Sequence, residues 1–309
     1  MSSACIGVVV CAADKLNRYF PPPNDPTWVP TEPPFTPDDQ YLVDAIRQLG
    51  HSVVPVVWGT RIDQRQQVNR PDVLVIRSPW DYTESPSRFK AFAQWIREVW
   101  QAGIRLENHV AWLEWLLDKH YLADLASQGV PVVPSTFVAA GASADLGQCY
   151  QTMGPLVVKP CVSASGDNVS RLQTLEAALA FQPAFDALVA VQAMMIQPYL
   201  AEIESSGEWS MVFVDGQYSH AIHKQPAAGE FLVQAERGGR VSFKTPPVSV
   251  QQLGAQVMQG LLNCLPLAAP SPKTLPLYMR IDVIETQAWG PVISECEGVE
   301  PELFFRAKP

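Results

Sequence analysis

The chain is poor in positive charge, with 22 Lys and Arg against 31 Asp and Glu and a net charge of -9. Phosphate backbones are gripped by basic surface, so no nucleic-acid partner is expected. An apolar run of about 18 residues, the length a membrane-spanning helix needs, is missing, and no membrane partner is expected either. Cysteine is scarce: Cys5, Cys11, Cys149, Cys161, Cys264 and Cys296 are scattered without a C-x-x-C pair. That excludes a zinc knuckle or a disulfide framework and fits reduced thiols in a cytoplasmic protein. The short apolar run Ile6 to Val10 has no basic residues before it, so a core strand is expected there rather than a signal peptide. P-loop, G-x-G-x-x-G and G-x-S-x-G motifs are all missing, which removes the commonest nucleotide and hydrolase signatures. Asn168-Val169-Ser170 matches a glycosylation sequon, which carries no weight without a secretory signal.

What is present is enough for a large core: 309 residues, 47% hydrophobic and 17% charged, a length that implies two or three domains. The proline-dense stretch Pro21 to Pro37 reads as an extended surface connection, with a border to a substrate site as the other option. Thr36-Pro37-Asp38-Asp39 opens a helix: Thr36 caps and Pro37 suits the first position. Leu42, Ala45, Ile46 and Leu49 form its apolar face before Gly50. Ser52 to Trp58 and Asp72 to Ile76 read as strands, and Ser85-Pro86 starts a helix that ends at Gly103. This order predicts an α/β unit with a parallel sheet covered by helices. Asn108 to Leu125 reads as one helix with Asp118-Lys119 in its middle. Leu146 to Met153 and Leu172 to Leu188 follow as further helices.

Chemistry concentrates in five places. Arg77-Ser78-Pro79-Trp80-Asp81-Tyr82 lies beyond the carboxyl end of a strand, where open α/β sheets bind ligands. It can orient a small zwitterion, or Trp80 and Tyr82 can cover the sheet edge while Arg77 and Asp81 pair. Leu156 to Val158 reads as a buried strand ending in Lys159, followed by the small-residue loop Ser163 to Asn168. Backbone N–H groups of such a loop can fold around an anion, although a strand-end lysine beside an ordinary turn has the same sequence. Met194 to Leu200 reads as a strand running into a hinge, able to offer adenine a backbone edge or simply to link domains. Gly207 to Ile222 reads as a hairpin turning at Asp215-Gly216. His220 and His223 stand an odd number of residues apart and point to opposite faces, so they make no metal pair. A second hairpin runs Tyr278 to Ile284 and Val292 to Glu297. Glu295 and Glu297 share one face there, with Asp282 opposite. Three carboxylates on one face suit Mg²⁺, an acidic solvent ladder, or pairing with Arg280 or Arg306.

Taken in order, these segments resemble the ATP-grasp superfamily. The likeness is to its glutathione-synthetase-like branch, which includes the O-ureido-serine cyclo-ligase of cycloserine biosynthesis. It spans Thr36 to Arg306 and includes His220-Ala221-Ile222-His223-Lys224-Gln225-Pro226, Gly229-Glu230-Phe231 and Glu300-Pro301. The resemblance implies an α/β (α+β lobes) fold: an N-terminal α/β domain over 1–112, a central lid over 113–195, and a C-terminal mixed-sheet domain over 196–309. It implies ATP and Mg²⁺, and an ATP-dependent carbon–nitrogen ligase acting on small-molecule carboxylate and amine substrates. A nucleotide-binding protein without ligase activity and a small-molecule kinase are the alternatives; a homodimer is left open. Lys119, Lys159, Ser163, Ser165 and Gly166 would contact the phosphates. Gln197, Tyr199 and Leu200 would frame adenine, and Glu208 the ribose. Asp282, Glu295 and Glu297 would hold magnesium, Lys224 would face the γ-phosphate, and Arg77 would act in catalysis. Ser78, Trp80, Asp81, Tyr82, Gln234 and Glu300 would meet the substrate. Glu297 departs from the asparagine that usually ends such a metal set.

Overall fold

The computed structural model describes residues 3–12, 15, 35–61, 70–164, 166–227, 230, 233, 238–265 and 274–307. Ser165, Gln234, Phe231 and most of the Pro21 to Pro37 stretch lie outside them. The structure has three sheets. In the first, β1 (Cys5–Val10), β2 (Ser52–Val57), β3 (Val73–Ser78) and β4 (Arg105–Glu107) run in the order β2-β1-β3-β4. All three pairings are parallel, as the alternation of strands and helices predicts. Helix α1 (Pro37–Gln48) starts where expected: the Thr36 side chain accepts from Asp39 N at 3.0 Å and Pro37 takes the first turn. Helix α2 (Pro86–Gln101) buries Phe92, Trp95, Ile96 and Val99 in the core that also holds Leu74 and Ile76.

The predicted helix from Asn108 to Leu125 is two helices, α3 (Val110–Leu116) and α4 (Tyr121–Ser127). The break falls at Asp118-Lys119, because the Lys119 backbone N–H donates to Cys161 O at 3.0 Å. That long-range bond takes the donor an unbroken helix would need. The second sheet, β5-β8-β6-β7, pairs β5 (Thr136–Val138), β6 (Leu156–Pro160), β7 (Ser170–Leu172) and β8 (Met194–Pro198) antiparallel. Helices α5 (Leu146–Met153) and α6 (Leu175–Val189) cover it and bury Leu146 and Phe185 against Leu156, Val158 and Ile196. The expected helix start at Leu172 moves to Leu175, where Thr174 caps it by accepting from Ala177 N at 3.1 Å.

The third sheet runs β11-β10-β9-β12-β13, with every pairing antiparallel, and a parallel bridge from Val132 to Ile293 makes its edge mixed. Its strands are β9 (Glu208–Val214), β10 (Gln217–Gln225), β11 (Arg240–Phe243), β12 (Tyr278–Thr286) and β13 (Gly290–Glu297). Asp215 and Gly216, at φ of 49° and 74°, make the tight turn between β9 and β10 that the sequence signals. Between β10's neighbour β9 and helix α7 (Glu202–Ser205) lies Gly207; helix α8 (Val248–Cys264) buries Leu253, Val257 and Leu261 beneath the sheet. The first and third sheets are joined by Asn108, whose Nδ2 donates to Tyr278 O at 2.8 Å and Gly298 O at 2.6 Å. Tyr278 returns a bond from its hydroxyl to Ile76 O at 2.5 Å. Among the described residues no helix is long and apolar enough to cross a membrane. All six cysteines are free.

Gly207 has φ of +78°, and a Cβ there would meet Lys224 O at 2.3 Å. Replacing it with alanine combines a left-handed backbone with a collision against backbone. Gly207→Ala is expected to destabilise the protein by about 1–3 kcal/mol. The readout is a lower urea midpoint at unchanged slope.

Candidate active site

A cleft of about 650 Å³ lies where the three sheets meet. Its lining includes Lys119, Lys159, Ser163, Gly166, Gln197, Tyr199, Leu200, Glu208, Lys224, Asp282, Glu295, Glu297 and Glu300. Residues more than 180 positions apart are thus brought to one wall by strand parity and by the turn at Lys119. Glu208 and Ser210 on β9 and Arg280 and Asp282 on β12 each stand two apart, so each pair shares a face. Register places Asp282 opposite both Ser210 and Glu295, and Arg280 opposite Glu297.

These charges form a connected strip. Lys224 Nζ lies 2.6 Å from Glu208 Oε2 and 3.4 Å from Asp282 Oδ2. Ser294 Oγ donates to Glu208 Oε1 at 2.7 Å, and Ser210 Oγ donates to Asp282 Oδ1. The Arg280 guanidinium contacts Asp282 Oδ2 at 2.9 Å and also pairs with Glu297. Lys119 Nζ lies 3.0 Å from Glu295 Oε1 and donates to Ser163 O at 3.0 Å. Lys159, beside them, has no ion pair or hydrogen bond for its ammonium among the described residues.

Burial and crowding set the protonation states. Burial raises Asp282, Glu295, Glu297 and Glu300, and the neighbours decide the outcome. Arg280 and Lys224 overcome burial at Asp282 and hold it down to about 2. Burial, with Glu295 and Asp282 adding repulsion against the pull of Arg280, lifts Glu297 to about 8. Glu295 stays below its ordinary value despite burial, because Lys119 and Lys159 face it. Burial would lower Lys119 and Lys224, yet Glu295 for the first and Asp282 with Glu208 for the second raise both. At Lys159 burial prevails, and the ammonium is weakened.

A β-bulge explains how neighbouring residues both reach this wall. The β12–β13 register shifts between Asp282 and Val283, so that Asp282 opposes Glu295 while Val283 opposes Ile293. The extra residue, Ser294, turns to Glu208 while Glu295 reaches Lys119. One end of the cleft is apolar: Leu200 and Ile203 pack with Val133, Ile284 and Val292. Gln197 is buried nearby, and its Nε2 donates to Ser135 Oγ at 2.8 Å. Tyr199 OH bonds Glu204 and accepts from Arg171 NH1 at 3.3 Å.

The substrate-side expectations divide. Trp80 and Tyr82 do line the cleft, and both reach Glu300. Trp80 Nε1 donates to Glu300 O at 3.0 Å and Tyr82 OH to Glu300 Oε1 at 2.5 Å. Arg77, Ser78 and Asp81 lie elsewhere, which corrects the reading of them as catalytic and substrate groups. Arg77 and Ser78 are still in β3; Arg77 is buried against Asp39 Oδ1 at 3.0 Å, and Ser78 Oγ donates to Asp39 Oδ2 at 2.8 Å. Asp81 is buried between Arg88 and Trp58 Nε1, the latter at 2.5 Å. Ser165 and Gln234 fall outside the described residues. Sequence reasoning did not place Arg280, Ser210 and Ser294 in the site. The two-residue spacing of Arg280 from Asp282 and of Ser210 from Glu208 was the available signal; the bulge at Ser294 left none.

The donor set of Asp282, Glu295 and Glu297 is all hard oxygen and suits Mg²⁺, which usually takes one or two carboxylates and completes itself with phosphates and water. The three carboxylates do not close on one point. Among the described residues, the one three-donor group whose ligand atoms lie within 4.8 Å of one another is Asp118 and His120, flanking Lys119, with Cys161 from the end of β6. There the His120 ring is already bonded to Asp118 at 2.5 Å and Cys161 is fully buried.

Comparison with known proteins agrees with this architecture. Residues 24–108 match the family described as D-cycloserine synthetase DcsG, N-terminal domain, and residues 124–263 match prokaryotic glutathione synthetase, ATP-grasp domain. The cycloserine biosynthesis protein DcsG of Streptomyces lavendulae is 32% identical over 279 residues, covering 87% of this chain and 88% of that protein. The crystal structure of D-cycloserine synthetase DcsG superposes with a TM-score of 0.76 at 24% identity, covering 99% of this chain and 95% of that one. D-alanine–D-alanine ligase from Bacillus anthracis gives a TM-score of 0.64 at 13% identity, over 98% of this chain and 89% of that one, and shares the fold. With conserved-length coverage of the Streptomyces protein, a glutathione-synthetase-type ATP-grasp segment and a charged cleft at the junction of its sheets, the chain belongs to the DcsG family of ATP-grasp enzymes and is an ATP-dependent carboxylate–amine ligase.

Proposed function

We propose that this ligase phosphorylates the carboxylate of an amino acid or small peptide-like substrate and joins the resulting acylphosphate to a nitrogen nucleophile, releasing ADP and phosphate. The observation that carries the reading is the convergence of Lys119, Lys159 and Lys224 with Asp282, Glu295 and Glu297 on one cleft. We divide the chain for this purpose into units 1–112, 113–195 and 196–309; the second border falls in β8, the last strand of the middle sheet. The names of the relatives point to cycloserine as a product class.

ATP would lie with adenine against Leu200 and the backbone edge from Gln197 to Tyr199, walled by Val133, Ile203 and Ile284. Glu208 is oriented by Lys224 and Ser294 to accept from ribose hydroxyls. The ammonium of Lys159, without a carboxylate partner of its own among the described residues, is available to a phosphate, as are the Ser163 and Gly166 backbone groups. Asp282, Glu295 and Glu297 would hold Mg²⁺, which when bound supplies neutralising charge to the phosphates. Lys224 and Arg280 stand where negative charge builds on the transferred phosphoryl group, and fixed cations there lower the barrier without reorganising. The substrate carboxylate oxygen attacks the γ-phosphorus, the bond to ADP breaks, and nitrogen then displaces phosphate. Closure of the second sheet over the cleft would keep water from the acylphosphate.

The decisive assay is ADP release by purified protein with ATP and Mg²⁺, across amino acids and O-ureido-serine. ADP that appears only with a substrate and a nitrogen nucleophile supports the ligase chemistry; a stable phosphorylated product would indicate a kinase. Lys159→Ala and Glu295→Ala are each expected to lower kcat by about 10²-fold or more. Wild-type ADP release in both variants would remove this site from the reaction.

A pH dependence follows from Glu297. Its folded value of about 8 lies above the unfolded value of about 4.3, so the native state holds a proton that the unfolded chain has lost. Stability from this group is therefore full below about pH 4.3 and declines as pH rises towards 8. Burial lifts Glu300 to about 7, which adds the same sign. In thermal melts without nucleotide or metal, the midpoint should fall from pH 5 to pH 9, and Glu297→Gln should flatten that slope. Mg²⁺ titrations should show binding that strengthens with pH in the wild type, because the ligand must lose its proton, and less so in the variant.

A further inference from the structure

The cleft holds many carboxylates, and nearly all are matched by a cation. Lys224 takes Glu208, Arg280 takes Asp282 and Glu297, Lys119 takes Glu295, and Arg306 takes Glu302. Glu300 is the exception. Its Oε1 accepts from Tyr82 OH at 2.5 Å, and among the described residues Oε2 has no partner. Two bonds from one short helical turn, Trp80–Glu84, hold its backbone and its side chain. Tyr82 is itself fixed, its ring stacked on Phe92 with centroids 4.4 Å apart. The carboxyl is therefore rigid, lines the cleft, and stands beside the phosphate-facing cations without being neutralised by one.

We propose that Glu300, oriented by Tyr82, is the proton acceptor for the attacking nitrogen in the second half-reaction. The inference rests on the ligase reading above and assigns a step that reading leaves open. In this step the nitrogen lone pair forms a bond to the acyl carbon and the carbon–oxygen bond to phosphate breaks. Phosphate leaves with that electron pair, and the nitrogen's proton passes to Glu300 Oε2. The other carboxylates are poorly suited, since each is held by a cation through at least one oxygen and Asp282, Glu295 and Glu297 are the set assigned to the metal, whereas Glu300 is held only by a neutral hydroxyl. Glu300 lines the cleft, and its Oε2 has no partner among the described residues. Tyr82 cannot replace it as the base: burial and the Glu300 charge raise the phenol well above its ordinary value, so it stays a donor. Burial also brings Glu300 near neutrality, against the pull of Lys119 and Arg280 and with the repulsion of Glu295 adding to it. A base of that strength both accepts a proton from nitrogen and returns it to water.

The test separates the two half-reactions. With O-ureido-serine, ATP and Mg²⁺, added hydroxylamine traps the acylphosphate as a hydroxamate, while C–N product without hydroxylamine reports the second step. The ratio of product rate to trapping rate in Glu300→Gln should fall by about 10²-fold relative to wild type. Glu300→Asp should recover part of it, and Tyr82→Phe should lower it less than Glu300→Gln. An unchanged ratio in Glu300→Gln, with both rates reduced together, would make Glu300 a tie between the first and third sheets and overturn the assignment. Trapping in the glutamine variant also shows that it is folded; if it does not trap, the ratio in Tyr82→Phe decides, and no change there overturns the assignment. Wild-type protein that yields neither ADP nor hydroxamate with any substrate would remove the ligase reading itself, and this proposal with it.

Discussion

One guanidinium sets the electrostatics of the cleft. Arg280 faces Asp282 on its own strand and Glu297 on the next, and it cannot neutralise both. Asp282 is held fully ionised near 2, with Lys224 on its other side, while Glu297 is left with its proton to about 8. An unpaired buried charge costs several kcal/mol, so a protein that needs many charges in one place must pair them internally until a ligand arrives. The strip from Glu208 through Lys224, Asp282 and Arg280 to Glu297 does this. On the proposed reading, a triphosphate with its divalent ion exchanges partners with groups already charged and already aimed. The lysines pass from carboxylate to phosphate, and the carboxylates pass from lysine to metal. Little net charge has to be created or buried at that moment.

That exchange depends on backbone details of a few positions. Strand parity alone brings Arg280 and Asp282 to the cleft. The bulge at Ser294 gives both Glu208 and Glu295 their partners, which a regular ladder would put on opposite faces. The interrupted helix at Lys119 is the counterpart on the other wall. Its backbone is bonded to Cys161 and its side chain to Ser163, so the lysine and the root of the small-residue loop move as one piece. A continuous helix would have carried Lys119 away on a rigid rod.

How much of this was legible in the sequence follows from the range of the interactions. Local signals were sufficient where the cause is local: the Thr36 cap, the Asp215-Gly216 turn, the apolar run before Lys159, the Asp282 and Glu295 register. Non-local causes were not visible. Nothing near Lys119 announces a bond to Cys161, so its apolar spacing reads as one helix. Arg77 follows a strand and precedes two aromatics, the setting of a ligand-binding loop. The strand in fact runs two residues further, and Asp39, brought over by α1, captures the guanidinium in the core. Trp80 and Tyr82, beyond the strand end, remain at the cleft. The extended strand thus keeps Arg77 and Ser78 in the core, while Trp80 and Tyr82 beyond it reach the cleft wall.

Glu297 shows the same logic at the scale of one side chain. An asparagine there would offer a neutral oxygen and leave Arg280 wholly to Asp282. The glutamate competes for that guanidinium, and its own proton records the outcome. With Glu295 and Asp282 close by, ionising Glu297 in the empty cleft adds a charge that Arg280 is already committed to balancing elsewhere. If Asp282, Glu295 and Glu297 hold a divalent cation, as proposed, its charge would ease that conflict and favour loss of the Glu297 proton. The extra acidic group therefore makes the cleft's negative charge conditional on what is bound. Holding its proton, Glu297 avoids most of the repulsion from Glu295 and Asp282, and on the proposed reading the full carboxylate set would form as a cation binds.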